Sequence, residues 1–338
     1  MNNASFHVLS LIPKDRLLVG NPMIPEWMKI AYWDDVNPLL GDQLSKFQAV
    51  LGGGTPIPYE VLSATSLEMI QLVSAGYDRI DREAVVEKGL VVCNNPGANA
   101  PAVAEHMLMM LLYFARRAGE AQAMVYNGQF SNARMDLMGP QLRNLSEMTI
   151  GIIGLGAIGQ CFAELVRPFG SKILYYSRTR NASVEEKLGL LYSELDAIVQ
   201  VADAVAVALP LTEQSYQLFD ARLFALMKPT AILINVGRGG VVDHQALANA
   251  LVTKQIYAAG LDVFDPEPLP PDHPLLLVDD EVRQRMLLSP HLAGLTQCAW
   301  ATMIQNAIDN LVRHAIDQRP QHVLSFVNES TTTTHQIV

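Results

Sequence analysis

Gly154, Gly156 and Gly159 stand in the segment GIIGLGAIG that opens at Gly151. The apolar run Thr149 to Ile153 before them reads as a strand, and Ala157 to Phe169 after them as a helix closed by Gly170. In that setting the spacing GxGxxG does its chemistry through the backbone. The first glycine permits a tight turn, the second lets the chain approach a pyrophosphate, and the third allows close packing of helix on strand. The helix start at Ala157 and Ile158 offers free N–H groups and a positive dipole to the anion. The segment is therefore read as a dinucleotide site, against the plainer alternative of a glycine-rich turn with no ligand.

The strand that follows, Lys172 to Tyr176, decides which dinucleotide. An NAD site usually ends this strand with Asp or Glu, roughly 20 residues after the glycines, to bind the ribose 2′-hydroxyl. Here the place reads Ser177-Arg178-Thr179-Arg180, with no acid. The Ser177 hydroxyl and the guanidinium groups of Arg178 and Arg180 suit a 2′-phosphate, because Arg offers bidentate, charge-assisted donors. NADP is favoured over NAD, with a solvated basic turn as the alternative.

Three later segments share one pattern, a strand followed by an abrupt turn with a polar residue. The run Asn235-Val236-Gly237-Arg238 places Arg238 just past a strand. The run from Asp262 to Pro268 puts Asp262 at a strand end and Glu267 in a turn braced by prolines. Ser289-Pro290-His291 puts His291 after another strand. In open α/β sheets ligands lie beyond the carboxyl ends of the strands, so these side chains could converge on a nicotinamide. Singly, each also has a plain reading: a structural histidine, a helix-flanking ion pair, a turn carboxylate.

The elements that must position them follow from the apolar pattern. Ala204 to Ala208, Ala231 to Asn235 and Ala258 to Val263 join the two strands above as runs apolar nearly throughout, the mark of parallel strands covered on both faces. Helix-length segments lie between them, one of them capped by Asp243. This alternation predicts a doubly wound parallel sheet. Ala49 to Gly52, Met69 to Val73 and Leu90 to Cys93 predict strands of a second, smaller α/β unit; residues 13–38 fit no element. Ala102 to Arg116 reads as a long apolar helix, and Cys298 to Ile316 as a last helix with no strand after it. Its return to the first unit would give a discontinuous domain of residues 1–100 and 295–338 around a cofactor domain of 101–294. The polar tail Asn328 to His335 is expected to fray.

Composition narrows the function classes. Half of the 338 residues are hydrophobic and 17% charged, as in a compact α/β enzyme. A net charge of −10 leaves no basic surplus for nucleic acid. Three scattered cysteines, with no CxxC or Cys/His cluster, predict neither disulfides nor a metal site. No basic stretch leads into an apolar run in Met1 to Arg16, and Met107 to Ala115 is far short of a membrane span. A cytoplasmic protein with no membrane partner is expected.

Taken together, the motifs GxGxxG, NxGRGxxVD, DxxxxEP and SPHxAG, in this order from about Lys46 to Asp317, resemble the D-isomer-specific 2-hydroxyacid dehydrogenase family. The resemblance implies two doubly wound domains, a Rossmann cofactor domain and a flavodoxin-like substrate domain, with the active site in the cleft. It implies hydride transfer between NAD(P)H and a small 2-oxo acid to give a D-2-hydroxy acid. His291 would be the acid/base, Glu267 its partner and Arg238 the anchor of the substrate. Histidine carries a proton near neutral pH, a carboxylate orients it, and arginine binds a carboxylate and polarises a carbonyl.

The resemblance further implies that Ser74, Ala75 and Gly76 offer backbone N–H groups to the substrate carboxylate. Ala208, Leu209 and Pro210 would line the adenine and ribose side, Val236 and Gly237 would flank the cofactor, and Asp262 would contact its carboxamide. The Ala102 to Arg116 helix region would join a homodimer. Other histidines, including His106 and His244, are read as structural. The turn at Ser177 is similar to that of glyoxylate and hydroxypyruvate reductases that use NADP. The rival reading is a cofactor-sensing interaction protein on the same fold, like the dehydrogenase-related corepressors.

Overall fold

The computed structural model describes residues 5–35, 41–139 and 142–326; the tail Asn328 to His335 and residues 36–38 lie outside them. The chain forms two units, one of residues up to Asn99 with those from Gln297 onward, the other of Ala100 to Thr296.

The first unit holds five parallel strands: β1 (Phe6–Ser10), β2 (Met28–Tyr32), β3 (Ala49–Gly52), β4 (Met69–Leu72) and β5 (Val91–Cys93). Their order is β2-β1-β3-β4-β5, the flavodoxin-like arrangement. The inner strands β3 and β4 are buried at every residue, so their largely apolar runs were legible. The edge strand β2 is mostly half-exposed and carries Lys29, which is why residues 13–38 gave no clear signal. A short helix, Lys14–Leu17, and a 3-10 turn, Trp33–Asp35, flank it.

The helix Gln297–Ala315 belongs to this unit because its apolar stripe is completed here. Met303, Ile304, Ala307, Ile308 and Leu311 join Val8, Leu51 and Met69 in one core. Polar ties fix the register: Asn95 Nδ2 donates to the Met303 carbonyl at 2.8 Å, and Asn310 Nδ2 to Gln71 Oε1 at 2.7 Å. Past the helix, Val323 makes an antiparallel bridge with Cys93 on β5.

The second unit holds seven parallel strands: β6 (Thr149–Ile153), β7 (Lys172–Tyr176), β8 (Leu191–Tyr192), β9 (Ala204–Val207), β10 (Ile232–Asn235), β11 (Ala258–Leu261) and β12 (Met286–Leu288). The order is β12-β11-β10-β9-β6-β7-β8. Counted from β6, this is the Rossmann order with one further strand, β12, at the edge. The strand expected before Ser289 is β12, whereas β8 was not foreseen; at two residues it is too short for a periodic signal. The expected caps are in place. Gly170, at φ 82°, closes the 3-10 turn Arg167–Phe169 in which the helix Ala157–Val166 ends, and the Asp243 side chain accepts from Ala246 N at the head of the helix His244–Val252.

The helix Ala100–Ala115 spends its apolar excess inside its own unit. Met107, Met110, Leu111 and Phe114 are buried in the core with Phe162 and Val166 of the helix Ala157–Val166. Gly260 on β11 leaves the space they need, since a Cβ there would stand 2.8 Å from Met110 Sδ. Exposed apolar side chains come later, as Val125, Tyr126, Phe130, Met135 and Met138 in the region of the helices Ala118–Tyr126 and Phe130–Leu137. Among the described residues no helix is long and apolar enough to cross a membrane.

Candidate active site

One row of paired residues crosses the larger sheet at its carboxyl edge. Tyr176 pairs with Ile153, Ile153 with Val207, Val207 with Asn235, Asn235 with Leu261, and Leu261 with Leu288. The residues that follow each partner are therefore Ser177, Gly154, Ala208, Val236, Asp262 and Ser289. Each begins one of the segments singled out in the sequence. Parallel pairing in this register sets them side by side along one lip of the sheet.

Backbone contacts close the gaps between these loops. Gly154 has φ 102°, and a Cβ on it would lie 2.7 Å from the Ala208 carbonyl oxygen. A Cβ on Gly237 would lie 2.5 Å from the Leu209 carbonyl oxygen, and one on Gly239 would overlap the Phe264 backbone. A side chain at Gly154 or Gly237 would push the loop after β9 away from its neighbours, and one at Gly239 would part the loops that carry Arg238 and Glu267. Gly159 packs its missing side chain against the Gly154 carbonyl, whereas a Cβ on Gly156 would meet nothing within 4 Å. Packing does not need Gly156; the space it leaves at the head of the helix Ala157–Val166 fits a pyrophosphate on free N–H groups.

Past β7 the two expected arginines part ways. Arg180 forks onto Glu185, with Nε on Oε1 and Nη2 on Oε2, both at 2.8 Å. The buried Tyr175 hydroxyl also donates to Glu185 at 2.7 Å. Hydrogen bonds from Arg180 and then Tyr175 hold the Glu185 carboxyl down, at about 2. Arg180, expected with Arg178 to face a 2′-phosphate, thus has its fork on Glu185. Arg178 is exposed beside half-buried Ser177.

The structure brings His291 and Glu267 together. His291 Nδ1 lies 2.9 Å from Glu267 Oε2, and Glu267 Oε1 accepts from Phe264 N at 2.9 Å. The carboxylate thus fixes one ring nitrogen as its donor, which leaves Nε2 of a half-exposed imidazole for other work. His291 sits in the left-handed region at φ 54°. Its N–H donates to the Asp262 carbonyl at 2.8 Å. On the neighbouring loop, fully buried Asn235 holds the turn that presents Arg238: its Nδ2 donates to the Arg238 carbonyl, and its Oδ1 accepts from Gly237 N, both at 3.0 Å. Arg238 is half-buried, with Nη1 on the Gly237 carbonyl at 2.8 Å.

Asp262 is buried and serves the loop of β12. Its Oδ1 accepts from Ser289 Oγ at 2.6 Å and Leu292 N at 3.0 Å, and its Oδ2 from Ala293 N at 2.9 Å. Neither Asn235 nor Ser289 was singled out from the sequence, although both stand inside the quoted motifs. His106, read from the sequence as structural, has its Nε2 3.0 Å from Ser289 Oγ.

In the first unit, Ser74, Ala75 and Gly76 form a half-buried turn after β4. Asn95 N–H donates to the Ser74 carbonyl at 3.1 Å, and Asn94 Nδ2 to the Ala75 carbonyl at 2.7 Å. The Asn94 side chain and the Asn95 backbone, just past β5, thus hold this turn. Pro210 ends the loop after β9, with its carbonyl held by Ser215 Oγ at 2.7 Å. Among the described residues no group of three or more His, Cys, Asp or Glu is placed to hold a metal.

The fold and this lip of donors define a dinucleotide-binding α/β protein. A model of the "D-isomer specific 2-hydroxyacid dehydrogenase, NAD binding domain" matches residues 108–293. The chain is similar to the glyoxylate reductase of Aeropyrum pernix, 37% identical over 78% of this chain and 77% of that one. It is also similar to the glyoxylate reductase of Thermococcus litoralis, 34% identical over 90% and 93%. Among solved structures, the NADPH-dependent glyoxylate/hydroxypyruvate reductase of Sinorhizobium meliloti in complex with citrate superposes with a TM-score of 0.79 at 26% identity, over 95% of this chain and 98% of that one. The chain belongs to the D-isomer specific 2-hydroxyacid dehydrogenase family.

Below the turn that carries Glu267, His244 Nδ1 and His273 Nε2 lie 3.1 Å apart, both residues buried. Burial, and then the neighbouring His273, lowers His244 from 6.5 to about 4. The unfolded chain therefore binds a proton at His244 that the folded chain refuses. Stability from this site is complete above pH 6.5 and is lost as pH falls from there to about 4. The loss amounts to at most about 1.4 kcal/mol per pH unit. Denaturant unfolding at pH 7 and pH 5 is expected to show this decline, and His244→Gln to flatten it. An equal pH dependence in the variant would rule His244 out as the source.

Proposed function

We propose that this protein is a 2-oxo acid reductase that forms a D-2-hydroxy acid, with glyoxylate or hydroxypyruvate as the preferred class of substrate and NADPH as the preferred cofactor over NADH. The observation that carries the reading is the His291–Glu267 pair at 2.9 Å, on the lip of the sheet that carries the glycine loop. When bound, the nicotinamide supplies hydride to the carbonyl carbon. His291 delivers the proton from Nε2 to the carbonyl oxygen, while Glu267 on Nδ1 fixes the ring and balances the imidazolium. Arg238 holds the substrate carboxylate and polarises the carbonyl as charge develops on its oxygen. In the first unit, the N–H groups of Ser74, Ala75 and Gly76 are assigned to a substrate carboxylate.

The glycine loop with Ala157 and Ile158 takes the pyrophosphate. Ala208, Leu209 and Pro210 line the adenosine side, and Val236, Gly237 and Asp262 the nicotinamide side. Ser177 and Arg178 meet the 2′-phosphate, a role in which the engagement of Arg180 by Glu185 leaves Arg178 as the strong donor. The protein works as a homodimer. The exposed apolar side chains between Val125 and Met138, which follow the helix Ala100–Ala115, supply its contact surface.

The reading is tested by following oxidation of NADPH and of NADH with glyoxylate, hydroxypyruvate, pyruvate and a longer 2-oxo acid. Turnover of a short 2-oxo acid is expected; cofactor binding without turnover of any would favour a cofactor-sensing protein. His291→Ala should remove turnover and leave the dissociation constant for NADPH near that of wild type. For Arg178→Ala, fluorescence titration should show NADPH binding weakened about tenfold or more with NADH little changed; equal losses for both would end the 2′-phosphate assignment. Light scattering of the purified protein should give twice the mass of one chain, and a monomer would refute the dimer.

A further inference from the structure

We propose that His106 is a positioning residue for His291, acting through Ser289 and Asp262. The inference rests on the reading of His291 as the acid/base. It starts from a count of hydrogens. Asp262 accepts on both of its oxygens, from Leu292 N on Oδ1 and from Ala293 N on Oδ2. Ser289 has one hydroxyl hydrogen, and the contact of 2.6 Å between its Oγ and Asp262 Oδ1 commits that hydrogen to the carboxylate. The contact of 3.0 Å between Ser289 Oγ and His106 Nε2 must then be a bond in which histidine donates. His106 is thereby held with a proton on Nε2, and it keeps the serine hydroxyl aimed at Asp262.

The far end of this chain is the backbone around His291. Asp262 takes the N–H of Leu292 and Ala293 through its side chain and that of His291 through its carbonyl. Three successive amides are thus tied to one residue at the end of β11. They enclose a histidine at φ 54°, a conformation that a residue with a Cβ keeps only where its surroundings impose it. His106 is the support of this arrangement from outside the loop. It stands on the helix Ala100–Ala115, whose core-facing neighbours Val103, Met107 and Met110 are apolar. An imidazole at this largely buried place gives the helix a directed donor where the flanking side chains offer only bulk.

Loss of His106 would leave the Ser289 hydroxyl free to turn, loosen one oxygen of Asp262 and widen the spread of positions that His291 occupies. The glycine loop, which holds the pyrophosphate, would be untouched, so most of the cofactor's binding would remain. The test compares His106→Phe, His106→Gln, Ser289→Ala and the double variant His106→Phe/Ser289→Ala, by steady-state kinetics with NADPH and glyoxylate and by NADPH titration. His106→Phe and Ser289→Ala are each expected to lower kcat about tenfold, as small displacements of a reacting group do, with the NADPH dissociation constant within about twofold of wild type. The double variant should lose no more than either single one, because both cut the same chain. Glutamine, which can donate from a similar reach, should recover much of the loss.

Wild-type kcat in His106→Phe, additive losses in the double variant, or a glutamine variant no better than phenylalanine would each overturn the proposal. Thermal unfolding accompanies each variant; if phenylalanine prevents folding, Ser289→Ala and His106→Gln carry the comparison. Activity remaining in His291→Ala would instead refute the acid/base reading itself. An inactive His291→Ala beside a fully active His106→Phe would refute the role of His106 alone.

Discussion

The site depends first on the register of the seven-stranded sheet. Because Tyr176, Ile153, Val207, Asn235, Leu261 and Leu288 form one row, six loops leave the sheet at the same height. A parallel sheet makes this economical. Every strand points the same way, so every carboxyl end opens onto the same lip, and helices cover both faces. A slip of one residue at any strand would turn its apolar side chains to the wrong face, so the core that holds the sheet together also holds the loops in line. Side chains buried at every position of β9, β10 and β11 enforce that register.

Within that frame, two devices convert proximity into a defined arrangement. Glycine removes the side chains that would keep neighbouring loops apart, at Gly154 against Ala208, Gly237 against Leu209 and Gly239 against Phe264. Buried polar side chains then tie the loops, Asn235 within its own turn and Asp262 across to the next strand's loop. Each of these groups is satisfied by several partners, the condition under which a polar side chain can be buried without a large cost. The result sets a rigid backbone around side chains that remain partly open, His291 and Arg238 above all.

Much of this was legible in the sequence, and the reasons differ from element to element. The fully buried strands announced themselves as apolar runs, and the glycine loop by spacing between a strand and a helix. The order of the motifs named the family. The short strand β8 and the edge strand β2 were hidden, since periodicity needs length and an edge is only half buried. The apolar helix Ala102 to Arg116 was read as fitting burial in a dimer or in the core. Most of its apolar side chains lie in the core of its own unit, with Met109 exposed, and further exposed apolar residues stand later in the chain. Hydrophobicity alone does not say which neighbour covers it.

The sequence by itself determined the alternating α/β architecture, the phosphate loop and the residue types at each strand end, because these rest on contacts between near neighbours and on local backbone freedom. Only the tertiary structure decided which side chains pair. It gave Arg180 to Glu185, leaving Arg178 exposed at the end of β7. It set His291 on Glu267, and it linked His106 to Ser289 across 183 positions of chain. Such bonds depend on direction and on separations of about 3 Å, quantities that the packing of the whole sheet fixes and that no spacing along the chain encodes.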